Sequence, residues 1–215
     1  MKKHTIATIT LLLLASNAFA GGSSSMGVGA KVGTLGLGLE AVKPVSNNLD
    51  LRVGVNKFDY DATETLDGVD YTATLGMQTI SALADFRPAG NGFFVSGGVM
   101  MNDNKLNASA MVTAAEPVTI GANTITSGTV TSDISFDDVS PYVGVGYRKP
   151  VSSAKGLTFA VDAGVLVQGD PKIALAESTG TVAQSDIDAE IASVRSDVDA
   201  LKNVPVISLG VVYNF

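Results

Sequence analysis

The sequence predicts an all-β fold, an antiparallel barrel that crosses a membrane, and three observations lead to this prediction. Apolar residues alternate with small or polar ones along several segments of the chain. Short turns rich in Pro, Gly, Asn and Ser connect the segments on one side, and longer polar connections join them on the other. The chain also ends on an aromatic residue at the close of an apolar stripe. These features are typical of transmembrane barrels, in which one face of every strand meets lipid.

The N-terminal segment has the pattern of a secretory signal peptide. Two lysines precede the apolar run IATITLLLLA, which is followed by the small-residue site AFA. The apolar run is too short for a comfortable transmembrane helix. We therefore expect cleavage after Ala20, so that residues 1–20 are removed and residues 21–215 form a single barrel domain.

Charge and residue content exclude several classes of function. Cleavage removes two of the 14 basic residues, so 14 − 2 = 12 remain against 21 acidic ones and the net charge is about −9. The negative charge argues against a nucleic-acid partner. The mature chain has neither histidine nor cysteine, the residues that most often act as general base or thiol nucleophile or bind transition metals. We expect no enzyme activity, no cofactor and no metal site.

Period-two alternation is clear in seven segments. In GLTFAVDAGVLVQGD, for example, Phe159, Val161 and Val165 share one parity, whereas Asp162 and Gly164 share the other. The seven segments lie near 27–42, 49–60, 69–86, 93–112, 134–147, 157–169 and 204–215. Since bacterial barrels normally have an even number of strands, we expect eight.

The eighth strand has two possible sources. The parity of the apolar residues changes at Gly33-Thr34, which indicates either a β-bulge or a tight turn that divides 27–42 into two strands. Alternatively, AEPVTIGANTITSGTVTS contains a small hairpin. The sequence leaves both open.

The connections predict which end of the barrel faces the cell exterior. KPVSNN, RPAGNG and RKPVSSAKG are short turns, whereas 61–68, 113–133 and 170–203 are long and polar. We expect the long connections to be acidic outer loops. One of them carries five carboxylates that could hold a hard cation, although a solvated acidic loop is the favoured interpretation: Asp59, Asp61, Glu64, Asp67 and Asp70.

One segment before the last strand departs from the β pattern. SDIDAEIASVRSDVDALKN predicts an amphipathic helix near 185–202, capped by Ser185 and stopped before Pro205. Its apolar face consists of Ile187, Ile191, Val194, Val198 and Leu201. We expect this face to pack on the barrel mouth or its loops, with a coiled-coil partner as the alternative.

The segments VGTLGLGLE, LDLRVGVN, SPYVGVGY and PVISLGVVYNF resemble strands of Gram-negative outer-membrane β-barrels of the small porin-like OmpA, OmpX and OmpW type. This resemblance implies a location in the outer membrane. It also implies contact with outer-membrane lipid and lipopolysaccharide, with periplasmic chaperones and with the barrel-assembly machinery. In the family that machinery reads the C-terminal strand, so the resemblance implies an assembly signature of Ile207, Leu209, Val211, Tyr213 and Phe215.

Two roles remain open for such a barrel. The first is structural or surface-interacting, in which the barrel anchors acidic loops and a helix outside the cell. The second is a narrow porin-like channel for small or apolar solutes. An eight-stranded barrel leaves a lumen about wide enough for side chains to fill.

One polar pair is predicted inside the barrel. Glu40 and Arg52 both have lumen parity on strands joined by KPVSNN, and a register in which paired numbers sum to 92 would place them directly opposite. Asp162 and Asp138 have lumen parity too and could compete for the same guanidinium. The alternative is that Arg52 lies at the periplasmic rim and meets only water.

Overall fold

The computed structural model describes residues 25–66, 69–151 and 155–215. The predicted signal peptide lies outside these residues. The strands and helices, in chain order, are β1 Gly27–Gly33, β2 Gly36–Ser46, β3 Leu49–Leu66, β4 Val69–Phe86, β5 Phe93–Asn102, β6 Lys105–Val112, β7 Val118–Ile120, β8 Asn123–Ile125, β9 Gly128–Ser135, β10 Val139–Arg148, β11 Gly156–Val167, β12 Lys172–Glu177, α1 Gln184–Asp197, a 3-10 helix Asp199–Lys202 and β13 Asn203–Asn214.

Eight antiparallel strands close into a ring in the order β1-β2-β3-β4-β5-β10-β11-β13. The last strand closes the ring, since β13 pairs with β11 on one side and with β1 on the other. Closure satisfies the backbone hydrogen-bonding groups of the ring, which lipid requires. The prediction of an eight-stranded antiparallel barrel is confirmed.

The eighth strand results from the division of segment 27–42 by a tight turn, the first of the two sources that the sequence left open. The segment 27–42 holds both β1 and β2, and the change of parity at Gly33-Thr34 marks the turn between them. Gly36 follows it with φ +88°, a backbone conformation that favours glycine. The turn is fixed to β13, because the Thr34 amide donates to the Ile207 carbonyl at 3.0 Å and Thr34 Oγ1 donates to the Pro205 carbonyl at 3.0 Å.

The long connections prove to be folded rather than open loops. β4 forks the sheet: Thr79–Phe86 pairs with β5, whereas Tyr71–Gly76 pairs with β6. Beyond the fork β9 joins β6 and β12 joins β9; these three strands are called the outer sheet below. The β7–β8 hairpin forms a separate two-stranded sheet and adds nothing to the ring. The predicted loop 61–68 is also mainly strand, because β3 continues through Leu66.

The helix predicted before the last strand is present, with a different start. α1 begins at Gln184 after Ala183, which has an extended backbone and makes no side-chain cap, so Ser185 lies inside the helix. Ile187 packs on an apolar cluster of the outer sheet and the β7–β8 hairpin, namely Val112, Ile120, Ile125 and Val182. The first turns of the helix therefore contact the outer sheet and the β7–β8 hairpin, whereas no residue of α1 is buried and Leu201, in the 3-10 helix, is exposed. Within the described residues, the helices are too short or too polar to span a membrane.

The outer face of the ring is an exposed apolar belt, and its terminal end, where β1 begins and β13 ends, carries exposed aromatic side chains. The belt includes Val28, Val32, Leu37, Leu39, Leu51, Val95, Val99, Val143, Val145, Phe159, Val161, Val165, Leu209 and Val211. The aromatic residues are Phe86, Phe93, Tyr147, Tyr213 and Phe215. A belt of this kind flanked by aromatic rings matches the hydrocarbon core of a bilayer and its interface.

Deleting Phe215 is expected to lower the amount of folded barrel in the outer membrane several-fold. Its amide donates to the Met26 carbonyl at 2.9 Å, and its ring meets Tyr213 edge-on at 5.0 Å, so deletion removes contacts that hold the closing strand. The folded form is measured as the band that shifts on boiling in a detergent gel of outer-membrane fractions. Phe215→Tyr keeps the ring and is the control. Normal levels of the truncated barrel would contradict the assembly signature.

Candidate functional site

The interior of the ring is filled by a cluster of charged side chains, called the lumen charge cluster. Four cationic and four anionic residues form it: Lys31, Arg52, Arg87 and Arg148 with Glu40, Asp50, Asp85 and Asp162. The three arginines and four carboxylates are all buried, and the Lys31 side chain is 10% exposed. Buried charges of this kind are tolerated only when they are paired, and here the formal charges balance.

Arg52 lies at the centre of the cluster. Its guanidinium lies 2.8 Å from Asp162 Oδ1, 3.0 Å from Asp85 Oδ2 and 3.4 Å from Glu40 Oε2. The structure thus brings together the sequence-predicted residues Glu40 and Arg52, and it adds Asp162. Asp138 is exposed just before β10 and is not among the carboxylates that pair with this guanidinium. The alternative that Arg52 meets only water is wrong, because the residue is 2% exposed.

The register predicted for this pair is wrong. The hairpin turns at Asn47 and Asn48, beyond the turn centre that a sum of 92 requires, and a bulge between Pro44 and Ser46 shifts the pairing again. Paired numbers along the strands therefore sum to 94, so Glu40 lies opposite Gly54 and Arg52 opposite Val42. The two charged side chains meet diagonally across the ladder, which their length allows.

Two further arginines close the terminal end of the lumen. Arg87 Nη2 lies 2.8 Å from Asp50 Oδ2, and Arg87 Nη1 donates to the carbonyls of Gly92 at 3.1 Å and Arg148 at 2.8 Å. Arg148 Nη2 lies 2.8 Å from Asp85 Oδ2 and 3.3 Å from Asp50 Oδ2. Sequence reasoning missed Arg87, because it opens a segment whose Pro, Gly and Asn residues indicate an exposed turn.

Phe94 supports the three arginines from within the lumen. The guanidinium carbons of Arg52, Arg87 and Arg148 lie 5.5, 5.3 and 5.0 Å from the centre of its ring. A ring face attracts cations at this range, most strongly where water is excluded. One aromatic ring therefore contacts three guanidinium groups and attracts each of them, which offsets part of the repulsion between these like charges.

An apolar layer lies on the outer side of the charge cluster. It consists of Leu35, Leu83, Met100, Tyr142, Leu166 and Val206. The cavity bordered by this layer and by Arg52 and Asp162 measures about 10 Å³, room for about one water molecule. Above it, Gln168 Oε1 accepts hydrogen bonds from Asn104 Nδ2 at 2.8 Å and Asn102 Nδ2 at 3.1 Å. Side chains thus fill the barrel interior from the terminal end to the mouth.

The acidic stretch predicted as a loop is spread along the β3–β4 hairpin. Asp59 pairs with Lys57 at 2.9 Å, and Asp70 accepts a hydrogen bond from Thr65 Oγ1 at 2.6 Å. Asp67 lies outside the described residues. Across residues 25–66, 69–151 and 155–215 no group of three or more His, Cys, Asp or Glu side chains is placed to hold a metal ion.

The five residues of the predicted assembly signature lie at the closing strand. Ile207, Leu209, Val211 and Tyr213 project from the outer face of β13 into the apolar belt, and Phe215 follows the strand. Their role in assembly stays a prediction.

The fold is similar to solved structures of two Acinetobacter baumannii proteins. The CarO2 structure is 24% identical, with 89% of this chain and 98% of that chain covered and a TM-score of 0.60. The CarO structure is 22% identical, with 88% and 97% covered and a TM-score of 0.58. A major outer membrane protein from Thermus thermophilus aligns at 16% identity and a TM-score of 0.43, covering 90% of this chain and 100% of that chain. No family model and no curated sequence matches the chain.

The closed ring and its apolar belt make this chain an integral β-barrel of the outer membrane. The likeness to CarO2 and CarO agrees with this fold. The finer resemblance to the OmpA, OmpX and OmpW type stays a prediction.

Proposed function

We propose that this barrel is a closed membrane anchor with a structural or surface-interaction role. The observation that supports the proposal is the filled lumen. Ions crossing it would have to displace the arginine and carboxylate side chains of the lumen charge cluster and then pass the apolar layer above them. Both barriers are held by buried contacts, so conduction would require rearrangement of the barrel core.

The part presented outside the membrane is the outer sheet with α1 and the β7–β8 hairpin. This region has its own apolar cluster and carries exposed acids such as Asp133, Asp188 and Asp197. At its base Lys202 Nζ lies 2.8 Å from Asp170 Oδ1, and this hydrogen bond lowers the pKa of Asp170. A folded acidic platform on a rigid barrel suits recognition of a partner better than passage of a solute.

Purified barrel in a planar lipid bilayer is expected to give no stable single-channel steps. The physical reason is that side chains occupy the lumen along its length. A general porin inserted in the same bilayer is the positive control, and the band shift on boiling shows that the sample is folded. Reproducible steps of one amplitude would overturn the proposal and favour the narrow channel for small or apolar solutes.

A further inference from the structure

β3 leaves the ring before it ends. Its pairing with β2 stops at Lys57, opposite Leu37, because β2 begins at Gly36. The strand then continues for nine residues, Phe58–Leu66, which pair with β4 on one side. Among the described residues this stretch has no backbone partner on its other side. We call Phe58–Leu66 the free edge.

The free edge lies just above the apolar belt. The outward pair Val55 and Ile80 is apolar, and the next outward pair is Lys57 and Gln78. The Lys57 side chain is 63% exposed and bonds to Asp59. This change from apolar to charged residues marks the bilayer surface, so the free edge stands outside the membrane, on the side opposite the chain ends.

The two faces of the free edge differ in chemistry. Phe58 and Tyr60 point toward the lumen mouth, with stacked rings 6.4 Å apart and exposures of 41% and 58%. Asp59 and Asp61 are exposed on the opposite face. The lower part of the edge, Phe58–Asp61, therefore alternates aromatic and acidic side chains.

The free edge lacks most of the features that protect sheet edges. Proteins commonly shorten such strands, bulge them or place proline in them. This edge is nine residues long, keeps regular register with β4 and contains no proline. A regular, open edge with alternating side chains is the surface that β-strand addition uses.

We propose that the free edge binds an extended protein segment in which basic residues alternate with apolar ones. Main-chain hydrogen bonds to the open side of β3 hold the segment. Its basic side chains lie beside Asp59 and Asp61, and its apolar side chains lie beside Phe58 and Tyr60. The proposal deepens the surface-interaction role proposed above and rests on it.

The described part of the chain does not supply this segment. Across residues 25–66, 69–151 and 155–215, no strand other than β4 pairs with Phe58–Leu66, and the open side of the free edge stays unpaired.

A second copy fits the edge poorly. Two copies inserted in one membrane have the same orientation, so their β3 strands would run parallel. The second copy would bring the same segment FDYDATETL, which has three acidic residues and no basic one, so no ion pair could form between the two free edges. Like charges at neighbouring strand positions are destabilising, whereas a basic segment meets the same positions with opposite charge.

The test uses a fluorescent octapeptide of alternating lysine and valine and the full barrel folded in a non-ionic detergent. We expect saturable binding in fluorescence anisotropy. The double variant Asp59→Asn/Asp61→Asn is expected to weaken binding by about 2- to 30-fold, the loss of two cross-strand charge pairs. The matched double variant Asp103→Asn/Asp137→Asn removes two exposed acids outside both the free edge and the acidic platform. Each of them pairs with a lysine, as Asp59 does. This variant is expected to bind as the unmodified chain does.

Backbone pairing is tested with the same peptide N-methylated at alternate residues, which keeps its charge and blocks its main-chain donors. This peptide is expected not to bind. Equal binding of the methylated peptide, equal binding of a glutamate–valine octapeptide, or no binding of the lysine–valine peptide would each overturn the proposal.

The second copy is tested by the oligomeric state of the full barrel in the same detergent, measured by analytical ultracentrifugation. A dimer that the lysine–valine peptide dissociates would show that the edge pairs with itself and would overturn the proposal, whereas a monomer supports it. If the barrel gives channel steps but still binds the peptide, only the closed-anchor function is overturned. If the barrel gives no channel steps and does not bind the peptide, only this inference is overturned.

Discussion

Replacing Asp85 with asparagine is expected to lower the free energy of unfolding by about 3–5 kcal/mol, the usual cost of breaking a buried ion pair from one side. Asp85 is fully buried. Its carboxylate lies 3.0 Å from Arg52 Nε and 2.8 Å from Arg148 Nη2, and it accepts a hydrogen bond from Ser96 Oγ at 2.5 Å. The neutral amide leaves four lumen cations against three anions. Unfolding is measured by urea titration in detergent, followed by far-UV circular dichroism.

A second substitution shows whether charge balance is the cause. Adding Arg148→Met to Asp85→Asn restores equal numbers of charges, so the double variant should lose less stability than the two single variants summed. Asp138→Asn, an exposed acid at the mouth, is the control and should change stability by less than about 0.5 kcal/mol. If Asp85→Asn behaved as Asp138→Asn does, the cluster would contribute nothing to barrel stability.

The sequence predicted the ring well because alternation has a strict physical cause. A residue on a transmembrane strand faces either lipid or lumen. A shift of the apolar–polar alternation by one residue would therefore put polar groups in hydrocarbon. The turn at Gly33-Thr34 was visible for this reason, as a change of parity. The outer sheet was not visible, since water tolerates both faces of its strands. The segment 93–112 keeps its pattern through Asp103-Asn104, where the chain leaves the ring and begins β6.

Only part of the lumen charge cluster was predictable. Parity placed Glu40, Arg52 and Asp162 inside, and the structure joins them by ion pairs. The register depended on which residues of KPVSNN make the turn, and a bulge next to it could not be read from composition. The position of Phe94 in the lumen was not predictable, because the expected lumen was polar. Only the assembled fold brings three guanidinium groups to its ring.

Replacing Leu209 with arginine is expected to destabilise the barrel in lipid vesicles by about 2–4 kcal/mol, the cost of a cation on the lipid face near the bilayer midplane. Leu209 lies in the middle of β13, between Val32 on β1 and Val161 on β11, and is 60% exposed. In the membrane this exposed surface is covered by acyl chains, which cannot solvate a guanidinium. Urea titration of the barrel in vesicles measures the loss.

Leu201 provides the matched control for Leu209. It lies in the 3-10 helix before β13 and is 42% exposed, so it resembles Leu209 in type and exposure. It lies beyond the apolar belt, at the outer end of the barrel, where water surrounds it. Leu201→Arg should therefore change stability by less than about 0.5 kcal/mol. A soluble sheet would tolerate arginine equally at both positions. A large loss at Leu209 together with a negligible one at Leu201 requires lipid around β13, and equal tolerance would contradict the transmembrane assignment of the ring.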